Sequence, residues 1–419
     1  MEKPELFSSK KEFLYFSLIL LILFFIHLSF KYYSYQNFIA KPFYYTYAEV
    51  ITAYSKTKNH RTYQVLKLHA QEGFTFYTTT HRKESFSHKR LRLQIFPNTS
   101  IGFQDYLGTF YVKSKIKQQE KLPLRWKDRL IESVNTQHTD KGLQSFYNAI
   151  FFATPIEKSL REKISLLGVS HLVALSGFHL SILWGIVYGV LLLLYTPLQQ
   201  KYFPYRYALF DVGVIAMVLL ASYVWFVDAP PSLLRSFAMV FIGWGVLLMG
   251  LELLSFTFLT MVGLFLIVIF PFLLVSLSFW LSVAGVFYIF LLLRYFKAWN
   301  KWSISLLVIP LGIFLLMLPI VHGIFGMTSG YQLLSPLLSL LFAPFYPLVM
   351  GLHLLGFGGV LDTLLVGLFA LPENGVESLL SPWVVFGYVG LSVGAIWYRW
   401  VFYVLYWVAL LYGGYLFLW

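Results

Sequence analysis

Long apolar runs fill the chain from Ala174 onward, and they limit what it can fold into. Residues 166–419 carry only seven Lys or Arg and six Asp or Glu. Each run lies near the ~20 residues that a helix needs to cross a bilayer. The predicted spans are 174–194, 208–227, 232–250, 253–270, 272–293, 302–320, 332–355, 383–398 and 400–418. With 58% hydrophobic residues overall, this composition is typical of an integral membrane protein.

Two features near these spans predict irregular structure. Leu361–Leu371 is too short for a span and is predicted to be re-entrant, so we expect about eight to ten spans in all. Pro336, Pro344 and Pro347 predict a broken helix, which a membrane tolerates only where protein or water satisfies the backbone.

An earlier apolar run, Phe13–Phe30, is flanked by Lys10, Lys11 and Lys31. No small-residue cleavage site follows it closely, which favours an uncleaved helix over a signal peptide. We therefore predict that residues 1–42 form an anchor helix and a stalk.

The positive charge is concentrated in one segment. The chain has a net charge of +13, and residues 31–165 account for nearly all of it, with 22 Lys or Arg against 10 Asp or Glu. A basic extramembrane segment of this kind suits a polyanion, either nucleic acid or an anionic membrane surface.

Residues 43–118 show the period-two alternation of strands. Leu91, Leu93 and Ile95 alternate with polar residues, and Tyr63–Leu68 alternates in the same way. About five short strands in this space fit a small barrel of the OB type. The predicted fold is thus a polytopic α-helical membrane protein with an N-terminal, extramembrane, OB-like β-barrel domain.

Basic residues in this domain are candidates for binding single-stranded DNA. A groove that combines Lys and Arg with stacking aromatic rings would hold such a strand without reading its sequence. The other interpretation is a basic barrel that rests on lipid headgroups with its aromatic rings in the core. The candidate DNA-binding residues are Arg82, Lys83, Lys89, Arg90 and Arg92.

The next segment, residues 119–167, reads as basic amphipathic helices with aromatic residues. Such helices often lie in the membrane interface. They lead to a polar stretch, Gly168–Leu183, at the start of the apolar domain of residues 168–419. Polar groups in a membrane segment are costly and usually face protein or a watery path.

The polar stretch is predicted to be a hinge or channel element. Ser176 and Gly177 offer a helix break, and Arg235 stands four residues into a later span, where it either contacts phosphate or pairs with Asp228. The candidate channel and hinge residues are Ser170, His171, Ser176, Gly177, His179, Ser232 and Arg235. His171 and His179 are eight residues apart, which does not align two metal ligands on one helix, and the chain has no Cys. We therefore expect neither a metal site nor a cofactor.

The loop charges predict an orientation. Lys201 and Arg206 share one loop, and Arg294, Lys297 and Lys301 share another. If these loops are cytoplasmic, the segment before Ala174 lies outside, and so does the basic N-terminal domain. Long translocated domains are largely exempt from the positive-inside rule.

Ser170–His179 reads Ser-His-Leu-Val-Ala-Leu-Ser-Gly-Phe-His, which resembles the Ser-His-Leu-Leu-Ala-Val-Ser-Gly-Leu-His signature of the ComEC competence-protein family. Asp228–Ser236 resembles the family's Ser-x-x-Arg helix start, and Leu277–Ser282 resembles its Leu-Ser span. Pro310–Pro347 is similar to the last family segment. The resemblance covers most of the chain and is firmest over residues 145–355.

The resemblance implies a channel in the bacterial inner (plasma) membrane that passes single-stranded DNA into the cytoplasm during natural transformation, with the N-terminal domain on the periplasmic side. It implies as partners single-stranded DNA, membrane lipids, a periplasmic DNA-binding protein and a cytoplasmic motor or helicase. Either a monomer or a homo-oligomer fits the sequence. The chain lacks the His-x-His-x-Asp-His cluster of the metallo-β-lactamase-like domain that many members carry, so it is expected to be a short form.

Two other functions stay open. An intramembrane serine protease could use Ser176 as nucleophile with His322 or His353 as base, but it would leave the basic domain without a role. A lipid-linked polymer transporter or glycosyltransferase would need an outer-loop carboxylate or Arg pair, and Asp228 is the one sequence-adjacent candidate. Since the sequence has no nuclease, ATPase or metal-site motif, we expect that the chain is not an enzyme.

Overall fold

The computed structural model describes residues 9–58, 61–82, 84, 86, 89–123, 126–248, 255–371 and 374–418. The α-helices in these residues are α1 (Lys10–Ile39), α2 (Phe103–Leu107), α3 (Trp126–Asn135), α4 (Lys141–Phe152), α5 (Lys158–Leu166), α6 (Ser170–Val173), α7 (Gly177–Tyr202), α8 (Ala208–Phe226), α9 (Pro231–Leu248), α10 (Phe256–Ile269), α11 (Leu277–Tyr295), α12 (Lys301–Ser303), α13 (Ile309–His322), α14 (Ser335–Leu354), α15 (Asp362–Ala370), α16 (Pro382–Gly394) and α17 (Arg399–Leu418). The strands are β1 (Tyr44–Lys58), β2 (Arg61–Ala70), β3 (Thr75–Thr80), β4 (Lys89–Phe96), β5 (Thr109–Tyr111), β6 (Lys113–Lys121), β7 (Met327–Thr328) and β8 (Val376–Glu377).

The chain divides into two compact units. The N-terminal unit consists of Phe7–Arg129 and Met261–Phe279, and the helical unit contains Leu130–Thr260 and Trp280–Trp419. The two units are described separately below.

Within the N-terminal unit, six strands form one mixed sheet in the order β5-β3-β2-β1-β4-β6. Adjacent strands are antiparallel, except that β5 runs parallel to β3. β5 and β6 are consecutive, with only Val112 between them, and they form the two edges of the sheet order. The predicted strands are present, but there are six rather than about five.

The predicted alternation places one set of side chains in an aromatic core. Leu66, Leu68, Leu91, Leu93 and Ile95 are all 0% exposed. Phe38 from α1 packs against Phe74, Tyr106 and Phe110, with ring centroids 5.3–5.5 Å apart. Because successive strand residues point to opposite faces, the intervening polar and aromatic residues lie on the other face of the sheet.

The core of the helical unit forms around α4. Eight of its residues are buried, including the run Phe146–Phe152, and they pack in one cluster with residues of α7, α8, α14 and α15. An amphipathic interfacial helix would bury one face only, so α4 departs from the pattern predicted for residues 119–167. α5 keeps that pattern, with Leu160 and Ile164 buried and Lys158 and Arg161 exposed.

Among the residues described, seven helices are long and apolar enough to cross a membrane. They are Lys10–Ile39, Gly177–Tyr202, Ala208–Phe226, Leu277–Tyr295, Lys301–His322, Gly330–Leu354 and Arg399–Leu418. Four shorter apolar helices accompany them, at Ser232–Leu248, Phe256–Ile269, Gly358–Ala370 and Pro382–Gly394. The chain is thus a multi-pass membrane protein, as its composition predicts.

The predicted break at the prolines of α14 is wrong. Pro336 lies in the first turn, where no intrahelical N–H bond is required, and Pro344 and Pro347 lie inside a helix that continues from Ser335 to Leu354. Neighbouring helices can satisfy the carbonyl groups that a proline frees. α14 therefore passes through the helical unit as one element.

Candidate functional site

The polar stretch before α7 contains a turn at Gly168 and the short helix α6. Gly168 takes a left-handed backbone conformation (φ +69°), and a Cβ there would lie 3.3 Å from the Gln332 side chain. α6 then spans only four residues. Ser335 Oγ donates to the Gly168 carbonyl at 3.0 Å. The turn is thereby attached to the start of α14.

Ser176 and His179 form a reciprocal cap at the start of α7. The Ser176 backbone N–H donates to His179 Nδ1 at 3.3 Å, and Ser176 Oγ lies 3.2 Å from the same nitrogen. Since Nδ1 accepts these bonds, the proton of the neutral ring is on Nε2. His179 is 0% exposed and packs edge-on against Phe342 and Tyr346 of α14.

Gly177 lets α9 approach the predicted hinge, the polar stretch Gly168–Leu183, closely. A Cβ at Gly177 would lie 2.8 Å from Ser236 Oγ. On the same helix, Ser232 Oγ donates to the Leu175 carbonyl at 2.7 Å. Arg235 stands beside Ser236 and is 3% exposed. The structure thus brings Gly177 and Leu175 against Ser236 and Ser232 of α9. Ser176 lies between the first two residues in the chain, and Arg235 lies on α9 between the two serines.

The two remaining candidate residues, His171 and Ser170, contact α14 and α5 respectively. His171 Nε2 lies 3.2 Å from Ser339 Oγ, and Ser339 in turn donates to the Ser335 carbonyl at 2.7 Å. The His171 ring therefore donates to Ser339. Ser170 Oγ is 3.2 Å from Ser165 Oγ.

One side of α14 carries the groups that meet the hinge. Its members recur at helical spacing and are Ser335, Ser339, Phe342 and Tyr346. Sequence reasoning missed them as site residues, although this spacing was a readable signal. The spacing alone does not show whether this side of α14 faces the hinge or lipid.

In the N-terminal unit, the sheet face opposite the core carries six tyrosines. The strand register places Tyr77 next to Tyr111, Lys56 next to Tyr63, and Tyr47 next to Arg92. We call this surface the tyrosine face; its tyrosines are Tyr45, Tyr47, Tyr54, Tyr63, Tyr77 and Tyr111. Four of them, Tyr45, Tyr47, Tyr54 and Tyr111, are 42–50% exposed.

Basic side chains lie over these rings. The Arg90 guanidinium is 5.3 Å from the Tyr47 ring centroid, and that of Arg92 is 5.8 Å from both Tyr45 and Tyr47. The Lys56 ammonium is 5.7 Å from the Tyr54 centroid, and that of Lys67 is 5.9 Å from Tyr77. A shallow cavity of about 320 Å³ lies among Tyr54, Tyr63, Tyr77 and Tyr111.

Of the four candidate DNA-binding residues that the structure describes, Arg90 and Arg92 lie on this face. Lys89 is on the opposite side of β4, with a side chain 12% exposed. It contacts Glu84 Oε2 at 3.3 Å and Gln119 Oε1 at 3.0 Å. Arg82 follows β3 and pairs with Glu84 at 3.5 Å. Lys83 lies outside the described residues.

Glu84 forms ion pairs with Arg82 and Lys89, the two described candidates that lie away from the tyrosine face. The hydrogen bond from Gln119, followed by that from Lys89, holds the pKa of the Glu84 carboxyl below its usual range. The carboxylate is therefore ionised near neutral pH and attracts both cations.

The histidines that could serve as a protease base are engaged elsewhere. His322 bonds to the Leu318 carbonyl at 3.0 Å and to Thr328 Oγ1 at 2.8 Å, and His353 bonds to the Val349 carbonyl at 2.6 Å. The histidine beside Ser176 is His179. Within the described part of the chain, no group of three or more His, Asp or Glu has the arrangement to hold a metal ion.

Residues 153–419 match the family model described as "Competence protein". A chain of Aquifex aeolicus (strain VF5), described only as an uncharacterized protein, is 24% identical over 309 residues, which cover 73% of this chain and 67% of that one. No solved structure matches. Since the family model covers well over half of the chain, including the hinge, α9 and α14, the protein belongs to the competence protein family.

Proposed function

We propose that this protein is a bacterial inner-membrane channel that passes single-stranded DNA into the cytoplasm during natural transformation. Membership of the competence protein family implies a role in DNA uptake. The observation that supports binding of single-stranded DNA is the tyrosine face. Its exposed rings alternate with Arg90, Arg92, Lys56 and Lys67.

The tyrosine face has the two properties that a single strand requires. Each base can stack on a ring, which contributes about 1–3 kcal/mol per base regardless of sequence. Basic groups beside the rings neutralise phosphates and release counterions. Duplex DNA offers no free base faces, so this surface should prefer single strands. In this proposal the six-stranded sheet is an OB-like domain that receives DNA on the periplasmic side.

The hinge and α14 would line the path through the helical unit. Serine hydroxyls and His171 meet there beside Phe342 and Tyr346, which offers a strand both hydrogen-bonding groups and rings. Arg235 would meet phosphate at the helix crossing. The seven basic residues after position 165 leave the path mostly neutral, so phosphate would not be trapped. Transport energy would come from a cytoplasmic motor or helicase.

Binding of a dT oligonucleotide to the full chain in nanodiscs, titrated with salt, tests the receiver role. We expect binding that weakens steeply with salt, and a single strand that binds more tightly than a duplex of equal length. Arg92→Gln should lower the slope of log K against log salt by about 0.7, the value for one phosphate contact on a single strand. Lys297→Gln removes the same charge from an exposed loop of the helical unit and should leave the slope unchanged.

Tyrosine variants separate stacking from charge. Tyr47→Leu should weaken binding by roughly 1–3 kcal/mol at every salt concentration, while Tyr47→Phe keeps the ring and should bind nearly as well as the wild type. Equal affinities for Tyr47→Leu and wild type, with an unchanged salt slope in Arg92→Gln, would mean that DNA does not contact this face.

A serine protease is the second candidate, because Ser176 Oγ lies 3.2 Å from His179 Nδ1. That contact fits helix capping better. The same nitrogen also accepts the Ser176 backbone N–H. Among the residues that the structure describes, none accepts a hydrogen bond from His179 Nε2 and so orients the ring as a base. We propose that the chain is not an enzyme. Labelling of Ser176 by a fluorophosphonate probe would contradict this.

A further inference from the structure

Three titratable side chains meet inside the helical unit, apart from the hinge. They are His138 in the loop before α4, His353 near the end of α14, and Asp362 at the start of α15. We propose that they form a proton-binding site. The site holds three protons, which is one more than two neutral histidines and an ionised carboxylate hold together. With that extra proton bound, the site clamps the turn between α14 and α15 to the loop before α4.

The proton positions follow from the acceptors at each end. His353 Nδ1 lies 2.6 Å from the Val349 carbonyl oxygen, which only accepts, so Nδ1 carries a proton. At the other end, both Asp362 oxygens lie 2.9–3.0 Å from His138 Nδ1. One proton must lie between His138 Nδ1 and the carboxyl group, whichever of the two carries it.

The contact between the rings requires one proton more. His138 Nε2 and His353 Nε2 are 2.9 Å apart, so one nitrogen donates and the other accepts. The two rings and the carboxyl group therefore hold three protons, whereas two neutral histidines and a carboxylate hold two. The extra proton belongs to the cluster and not to one residue. With it the cluster is electrically neutral; without it a net negative charge would remain.

Burial favours the neutral form. His138 is 5% exposed and His353 is 8% exposed, and Tyr147 of α4 stacks on the His138 ring with centroids 4.4 Å apart. The nearest further carboxylate in the loop, Asp140, accepts the Leu143 N–H as the cap of α4. An uncompensated charge among such groups costs free energy, so the cluster retains its proton.

The cluster also joins the loop before α4, the end of α14 and the turn that leads into α15. Gln137 Nε2 donates to the His353 carbonyl at 3.2 Å, and Gln137 Oε1 accepts the Gly358 N–H at 2.8 Å. A Cβ at Gly358 would lie 2.7 Å from His353 Nε2, so only glycine allows the turn to come this close. α15, which begins at Asp362, packs against α4 and α5, and α5 ends just before the Gly168 turn.

His322 shows that burial alone does not demand such a proton. Its Nδ1 donates to the Leu318 carbonyl and its Nε2 accepts from Thr328 Oγ1. A neutral ring satisfies both bonds, and His322 is 1% exposed. It is the matched control for His138.

The clamp should open as the pH rises. The closed form binds one proton more than the open form, so it is favoured at low pH and lost once that proton dissociates. This goes beyond DNA conduction, because it makes the position of α15 depend on pH whether or not DNA is present.

Hydrogen–deuterium exchange of residues 355–371 in the full chain in nanodiscs, without DNA, tests the site. Exchange is compared between about pH 5 and pH 9, which brackets the ordinary histidine pKa of about 6.5, after correction for intrinsic amide chemistry. We expect exchange in the wild type to accelerate about tenfold per pH unit above the titration midpoint. His138→Gln and Asp362→Asn should both abolish that acceleration, since neither can hold the extra proton.

The controls make each outcome decisive. His322→Gln should keep the wild-type acceleration. A wild type with no acceleration, or an equal acceleration in a folded His138→Gln or Asp362→Asn protein, would overturn the proposal. So would loss of the acceleration in His322→Gln, because the effect would then be general. If one cluster variant does not fold, the other carries the test.

Discussion

Gly168 and Gly177 shape the hinge for different physical reasons. Gly168 adopts a positive φ of +69°, a region in which a Cβ meets the following carbonyl oxygen. Gly177 has ordinary helical geometry, and its role is to leave room for Ser236. The first glycine therefore sets a backbone turn, and the second sets a distance between helices.

Gly168→Ala should destabilise the protein by about 1–2 kcal/mol, the cost of a left-handed alanine, with a further loss from crowding against Gln332. Gly189→Ala is the control, since a Cβ there meets nothing within 4 Å inside α7. An alanine in a helix interior is favoured over glycine by up to about 1 kcal/mol. Thermal unfolding in detergent measures both. Equal melting temperatures would mean that the Gly168 turn is not required.

Local contacts and strand alternation also explain why Arg90 and Arg92, and not Arg82 and Lys89, belong to the tyrosine face. β4 alternates, so Arg90 and Arg92 point to one side and Lys89 to the other. The period was visible in the sequence. The pairing of Glu84 with Arg82 and Lys89 depends on tertiary contacts.

At the element scale, the start of α7 depends on its cap. A helix leaves its first N–H groups without intrahelical partners, and here His179 reaches back to the Ser176 N–H. Glutamine at this third helical position can make the same bond, whereas leucine of similar size cannot.

His179→Gln should therefore be more stable than His179→Leu by about 1 kcal/mol, the usual value of a lost cap. Chemical or thermal unfolding of the two variants side by side gives the difference. Because the two side chains have similar volumes, packing against Phe342 and Tyr346 largely cancels. A leucine variant at least as stable as the glutamine variant would show that the cap contributes nothing.

α14 contacts two segments that lie far from it in the sequence. Its polar side meets the Gly168 turn at one end and the His138 cluster at the other. These contacts involve residues 167 and 215 positions apart in the chain. Local sequence shows that the helix has a semi-polar side, but not which distant segments cover it.

On the scale of the whole molecule, charge and hydropathy are segregated. Nearly all of the net charge of +13 lies in residues 31–165, and the apolar helices follow. A basic domain exported from the cytoplasm is exempt from the positive-inside rule when it is long, so the short loops of the helical unit should set the orientation.

That orientation can be measured with single cysteines, since the natural chain has none. Lys115→Cys on β6 and Lys297→Cys after α11 replace exposed lysines. An impermeant maleimide should label Lys115→Cys from the periplasmic side of intact inner membranes, and should label Lys297→Cys only from the cytoplasmic side. Protection of Lys115→Cys from periplasmic reagent would contradict the proposed location of the basic domain.

The sequence by itself determined the membrane character, the strands of the N-terminal unit and the hinge motif. These depend on local periodicity, on span length and on the short family signature at Ser170–His179. They are properties of neighbouring residues, and a single chain displays them directly.

Only the tertiary structure decided which side chains meet. It paired Lys89 and Arg82 with Glu84, kept α14 continuous through Pro344 and Pro347, buried α4, and joined His138 to His353 and Asp362. The physical reason is that a buried polar group must find its partner wherever the packed helices bring one. Such partners here are more than two hundred residues away, where no local pattern indicates them.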